Sequence, residues 1–138
     1  MTDILSLIPQ RAPFVMADTL VNADDTGATT HFEVRFDNMF VVNNRLTEPA
    51  LIENIAQTAA ARMGYLCRKR NEAVPVGFIG AVQHLEIFKL PVTGDLLTTT
   101  ITIKNQVFDV TVITGKITVG GEEIAHCEMK IFIQSAKK

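Results

Sequence analysis

The sequence predicts an α+β domain in which one long central helix is wrapped by a curved antiparallel sheet of about five to six strands. Three observations predict it. The stretch from Thr47 to Arg70 repeats apolar residues at helical spacing, with Ile52, Ile55, Ala56, Ala59, Ala60 and Met63 forming a stripe. Two strand-like segments precede this stretch and four follow it. The segments after the helix are joined by short turns, which favours antiparallel neighbours over parallel crossovers.

The elements follow in chain order. Ile4 to Ile8 reads as a short helical turn stopped by Pro9, and the proline-rich run to Phe14 has no regular structure. Phe14 to Val21 reads as a strand, and Asp24-Asp25-Thr26-Gly27 as a turn. From Thr29 to Phe36 residues alternate: Phe32, Val34 and Phe36 share one face, with His31, Glu33 and Arg35 on the other. Asp37 to Leu46 is a loop with an apolar patch from Met39 to Val42. Thr47 or Glu48 caps the helix, Pro49 suits its first turn, and Arg68, Lys69 and Arg70 complement the dipole at its end. Val76 to Phe88 is a strand in which Gly77 and Gly80 mark a bend or a close backbone approach. Leu96 to Lys104 and Val107 to Val119 are further strands, and Gly120-Gly121 turns the last hairpin. Glu123 to Gln134 completes the sheet, with Ala125, Cys127, Met129, Ile131 and Ile133 inward; Ser135 to Lys138 is expected to fray. Phe14, Phe36 and Phe78 read as core aromatics.

A chain of 138 residues fits a single domain spanning 1–138 with one core. A formal net charge of −2 gives no general attraction to nucleic acid. No apolar run reaches the length of a membrane span, and MTDILSLIPQ lacks the basic start of a signal peptide, so a cytoplasmic location is expected. Cys67 and Cys127 read as buried thiols rather than a disulfide. No pair of Cys or His has ligand spacing, so neither a metal nor a cofactor is expected.

Three stretches resemble the hotdog-fold family of 3-hydroxyacyl-ACP dehydratases and related thioester enzymes. Ile8-Pro9-Gln10-Arg11-Ala12-Pro13-Phe14 is similar to the family's LPHRxPF opening. Leu51-Ile52-Glu53-Asn54-Ile55-Ala56-Gln57 is similar to its LxLEALAQ helix start. Phe78-Ile79-Gly80, followed by Phe88-Lys89-Leu90-Pro91-Val92 and Gly94-Asp95, is similar to FAG…FKxPVxPGD. With the element order between them they cover most of the chain. The resemblance implies a homodimer or higher homo-oligomer, or pairing with another hotdog subunit. It also implies acyl tunnels at the subunit interface and a thioester substrate on acyl carrier protein or coenzyme A.

By that resemblance Glu53 is the catalytic carboxylate and Gln57 its partner. The two lie one helical turn apart, within hydrogen-bonding reach. Gly80 matches the glycine of the substrate strand that binds the thioester carbonyl, with Phe78 beside it. The family's loop histidine is missing. Counting back from Glu53 places Met39 there, and Asp37 to Leu46 contains no histidine. Asn43 and Asn44 remain to orient a water or a carbonyl, with Asn44 taken as a substrate-binding candidate; neutral amides are poor bases. His31, His84 and His126 read as outer-face strand residues. The basic helix end, with Arg62, is either solvated or a docking point for an acidic carrier or a coenzyme A phosphate.

Three functions compete on these residues. The leading one is a 3-hydroxyacyl-thioester dehydratase of fatty acid or polyketide-type biosynthesis, with Glu53 as acid. The second is a thioesterase, in which Glu53 activates water or attacks the carbonyl. The third is an inactive acyl-binding or partner hotdog subunit.

Overall fold

A single long helix and a long antiparallel sheet organise the chain, in a computed structural model that describes residues 2–134. Ser135 to Lys138, expected to fray, lie outside the described residues. Strand β1 (Thr2–Asp3) leads into a 3-10 turn at Ile4–Ser6. Strands β2 (Thr19–Ala23) and β3 (Gly27–Glu33) precede a small hairpin of β4 (Val41–Val42) and β5 (Arg45–Leu46). Helix α1 (Glu48–Lys69) follows, and then β6 (Val76–Ile87), β7 (Leu96–Val107), β8 (Val110–Val119) and β9 (Glu122–Gln134). The main sheet has seven strands in the order β1-β2-β3-β7-β8-β9-β6. Every pair in it is antiparallel. It exceeds the expected five to six because Thr2–Asp3 adds an edge strand too short to leave a sequence pattern.

The core forms where β3, β7, β8 and β9 face α1. Phe32, Leu97, Ile101, Ile113, Ile117, Ala125 and Met129 meet Leu51 and Ile55 there, all essentially inaccessible. Gly115 of β8 lies directly under Ile55, whose side chain occupies the space a Cβ would need. Gly64 admits the Leu7 carbonyl in the same way. No described helix is long and apolar enough to cross a membrane. Both cysteines are buried free thiols.

Several local expectations are corrected. Residues 14–18 are not strand; the strand begins at Thr19. The main-chain groups of Met16 are taken by helix side chains instead: its amide donates to Gln57 Oε1 at 2.7 Å and its carbonyl accepts from Asn54 Nδ2 at 2.7 Å. Thr47 occupies the N-cap position but its hydroxyl donates to the Phe40 carbonyl at 2.7 Å, so it makes no side-chain cap. The strand expected over Thr29–Phe36 is shifted to Gly27–Glu33, and Phe36 is 80% exposed. Phe14 and Phe78 are each 54% exposed, so none of these three rings belongs to the core of the isolated chain. The β7–β8 hairpin turns at Phe108, whose φ is 55°, so β8 starts at Val110 rather than Val107. The buried face of α1 is also rotated from the apolar stripe: Asn54, Gln57 and Thr58 are buried with Ile55 and Ala61, while Ala56, Ala59 and Ala60 are half-buried.

Candidate active site

The rotation of α1 has a cause in hydrogen bonding and a consequence for the site. A polar residue enters a core at tolerable cost only when its groups are matched. Asn54 meets this condition: its Oδ1 accepts from the Thr99 hydroxyl and its Nδ2 donates to Met16. Thr58 donates to the Asn54 carbonyl at 2.8 Å and contacts the Thr30 hydroxyl at 2.7 Å. Gln57, 1% exposed, donates from Nε2 to the Phe14 carbonyl at 2.9 Å while its Oε1 accepts from Met16. These polar residues fasten the 14–16 segment to the helix. The alanine-rich stripe is thereby left facing open space.

That space is a cavity of about 640 Å³. Glu53, Ala56, Ala59, Ala60 and Met63 form its helical wall, and Leu5 to Arg11 cover one side. Val76 to Ile79 of β6, with Ile103, Ile113, Ile131 and Ile133, supply the opposite wall. A largely apolar cavity with one carboxylate on its wall, and with Arg11 and Arg62 also lining it, suits an apolar ligand with a reactive polar end. Glu53 is half-buried, and its Oε1 accepts from Gln57 Nε2 at 3.2 Å. The expected pairing of the two residues is therefore present. Gln57 does not line the cavity itself; it orients the carboxylate while its remaining groups bind main chain.

The other sequence-predicted residues are distributed differently. Phe78 lines the cavity wall. Gly80 lies at the register shift between Ile79 and Ala81, opposite no single β9 residue, and the Phe132 ring sits where a Cβ would be. It is not among the residues lining the cavity. Asn43 and Asn44 are the two turn residues of the β4–β5 hairpin, with φ of 53° and 67°, the left-handed values that a two-residue turn requires. Asn44 is exposed, outside the cavity, and its carbonyl accepts from the Thr93 amide at 3.2 Å. Arg62 donates to the carbonyls of Asp24 and Asp25 at 2.8 and 3.0 Å, which ties the helix to the β2–β3 turn. Arg68 donates to the Ser6 carbonyl at 3.3 Å.

No histidine lines the cavity. His31 sits half-buried on β3, and His84 is exposed at a bulge of β6 with φ of 54°. His126 is held on the outer side of the sheet between two carboxylates: Nδ1 meets Glu123 and Nε2 lies 3.1 Å from Glu86. Its hydrogen bond to Glu123, reinforced by the charges of Glu123 and Glu86, raises its pKa above the usual histidine value. Among the described residues no group of His, Cys, Asp and Glu could hold a metal ion.

Of two further wall residues, Gln10 stands out from sequence only as a departure from the opening motif of the resembled family, and Thr111 not at all. Gln10 and Thr111 both line the cavity, and each has a side-chain oxygen buried with no partner among the described residues. Thr111 was legible in principle, since it shares the parity of the inward residues Ile113 and Ile117 along β8.

Residues 2–138 match the model of the ApeP-like family, described as ApeP dehydratase. Among curated proteins none matches the sequence. Among solved structures, a chain of the dehydratase heterocomplex ApeI:P from Xenorhabdus doucetiae superposes with a TM-score of 0.90 at 19% identity, over 99% of this chain and 93% of that one. A hypothetical thioesterase from Streptococcus pneumoniae, solved with coenzyme A, gives 0.69 at 13% identity over 86% and 87% of the two chains. The Escherichia coli PaaI protein, from the phenylacetic acid degradation operon, gives 0.64 at 17% identity over 82% and 80%. These likenesses establish the hotdog fold.

Proposed function

This chain belongs to the ApeP-like dehydratase family, and on that premise we propose that it supplies the acid half of a 3-hydroxyacyl-thioester dehydratase whose base comes from a second hotdog subunit. The observation that carries the reading is Glu53, fixed by Gln57 on the wall of an apolar cavity that no histidine of this chain lines. In the reaction a base removes the proton from the carbon next to the thioester carbonyl. Glu53 protonates the 3-hydroxyl as its carbon–oxygen bond breaks, and water and the 2-enoyl thioester leave. One carboxyl acting alone would have to serve both carbons in turn. A partner's base removes that demand on geometry.

Two features support a partner. Strand β6 is twelve residues long, pairs only with β9 among the described strands, and is exposed along most of its length. An edge of that length is normally covered by pairing. Phe14, Phe36 and Phe78 are each exposed, apolar rings of the kind a second subunit covers. The resemblance to a chain of a dehydratase heterocomplex supports an unlike partner over a second copy. The basic helix end, Arg68 to Arg70, is free to meet an acidic carrier protein or a coenzyme A phosphate only in part, since Arg70 lies 3.7 Å from Asp25. Gly80 is proposed to offer main-chain hydrogen bonding to the thioester carbonyl, as an unpaired bulge residue.

The test follows 2-enoyl absorbance and free thiol on 3-hydroxyacyl and 2-enoyl thioesters, with this chain alone and with a histidine-bearing hotdog subunit that copurifies. Enoyl formation only in the mixture supports the proposal. Thiol release by the chain alone would replace it with a thioesterase, a reading favoured by the single carboxylate in the cavity. Neither activity in any combination leaves an acyl-binding subunit.

A further inference from the structure

The cavity wall is mostly aliphatic; beyond Glu53 its polar side chains are Ser6, Gln10 and Arg11 of the N-terminal cover, Arg62 of the helix and, on the sheet wall, Thr111 alone. Thr111 is 5% exposed, lines the cavity, and its hydroxyl has no hydrogen-bond partner among the described residues. Its neighbours on the wall are Ile113, Ile131 and Ile133. A buried hydroxyl without a partner is costly, and a pocket commonly uses one such group to fix a ligand's orientation.

The register places Thr111 at the far end from the carboxylate. Gly115 of β8 packs against Ile55, two residues from Glu53. Further along β8, Ile113 pairs with Ile103, whose amide donates to the Thr26 carbonyl in the turn that Arg62 holds. Ile113 thus lies toward the Arg62 end of the helix, and Thr111 is two residues further along β8. From Glu53 to Arg62 the helix advances about 14 Å. The alanine stripe between them is smooth enough for an extended chain.

The geometry points to Thr111 as a specificity-determining residue: it selects acyl chains whose distal end carries a hydrogen-bonding atom over chains that end in methyl. The inference rests on the reading of the cavity as an acyl site. A polar tail would satisfy the Thr111 hydroxyl, whereas a methyl tail would leave it buried and unmatched. Sites built to bond a polar group discriminate against its absence for this reason.

The test measures calorimetric binding of straight-chain acyl-CoA thioesters from hexanoyl to dodecanoyl, each with a terminal methyl or a terminal hydroxyl, to the full chain. At the length that reaches Thr111 the hydroxyl form should bind about five- to tenfold tighter, the worth of one hydrogen bond. Thr111→Val should abolish that preference and improve binding of the methyl form, while Thr111→Ser should keep it. Should the valine variant fail to fold by circular dichroism, the wild-type and serine preferences decide. Equal binding of both tails at every length would overturn the role of Thr111 and leave the acyl site intact. Binding of none of the thioesters would remove the acyl reading itself.

Discussion

Gln57 donates to the Glu53 carboxylate across 3.2 Å, and the same side chain binds the main chain of both Phe14 and Met16. One buried amide therefore holds both the carboxylate and the segment beside it. Gln57→Leu would leave the buried Met16 amide and the part-buried Phe14 carbonyl unmatched, so stability should fall by about 1–3 kcal/mol. Urea unfolding measures this. A loss below about 0.5 kcal/mol would mean that water replaces the amide and that the network is not structural.

How this network relates to sequence is instructive. The one-turn spacing of Glu53 and Gln57 was readable, because helical geometry brings such residues together whatever surrounds them. The order of elements along the chain and the antiparallel sheet were readable from alternation and from Gly120-Gly121; the place of β6 at the far edge of the sheet was not. The direction in which α1 faces was not. Apolar periodicity favoured the alanine stripe, but Asn54, Gln57 and Thr58 enter the core because partners distant in sequence satisfy them. The same long-range bonds turned the expected strand at Phe14 into a tethered segment. Exposure of Phe36 and Phe78 was equally hidden, since composition does not distinguish a core ring from one on an unpaired surface.

Gly64 faces the main chain of Leu7 on the buried side of α1. Alanine is the better helix former by about 1 kcal/mol. Here its methyl would overlap the Leu7 carbonyl, which is main chain and cannot swing aside. Overpacking of this kind costs about 1–3 kcal/mol and should outweigh the gain. Gly64→Ala is thus expected to lower the urea midpoint, and a raised midpoint would show that the Leu5–Arg11 cover of the cavity shifts freely.

His126 faces Glu123 on its own strand, Glu86 from β6 and Lys116 from β8, its register partner. The hydrogen bond to Glu123, with the charges of Glu123 and Glu86, outweighs desolvation and raises its pKa. A raised folded pKa favours the protonated form, so its stabilisation is complete below the unfolded value of about 6.5. It is lost as pH rises through the folded value. In wild type the urea midpoint should therefore fall across that window more than in His126→Gln. The histidine ring signals should titrate above the ordinary value, and titration at or below it would rule out the clamp.

Burial raises the Cys127 thiol to about 11. The thiolate is the reactive form, so Cys127 should resist alkylation in the native protein at neutral pH and react once urea unfolds it. Mass spectrometry of peptides after brief iodoacetamide treatment reads this directly. Native labelling of Cys127 would mean that β9 opens locally.

Glu53 differs from the buried residues around it in being half-exposed and bound through one side chain only. Its replacement should consequently spare the fold and remove the chemistry. Glu53→Gln preserves shape and can still accept from Gln57, so stability should change by no more than about 0.5 kcal/mol. A carboxamide cannot deliver a proton to a departing hydroxyl. With the histidine-bearing subunit present, kcat for enoyl formation should fall by about a hundredfold or more, with KM little changed because the apolar walls are intact. A fall in KM-governed binding with kcat preserved would make Glu53 a binding group. Unchanged kinetics would make it an ordinary carboxylate near a helix start, favoured there by the dipole alone, and the acid would then have to come from the partner.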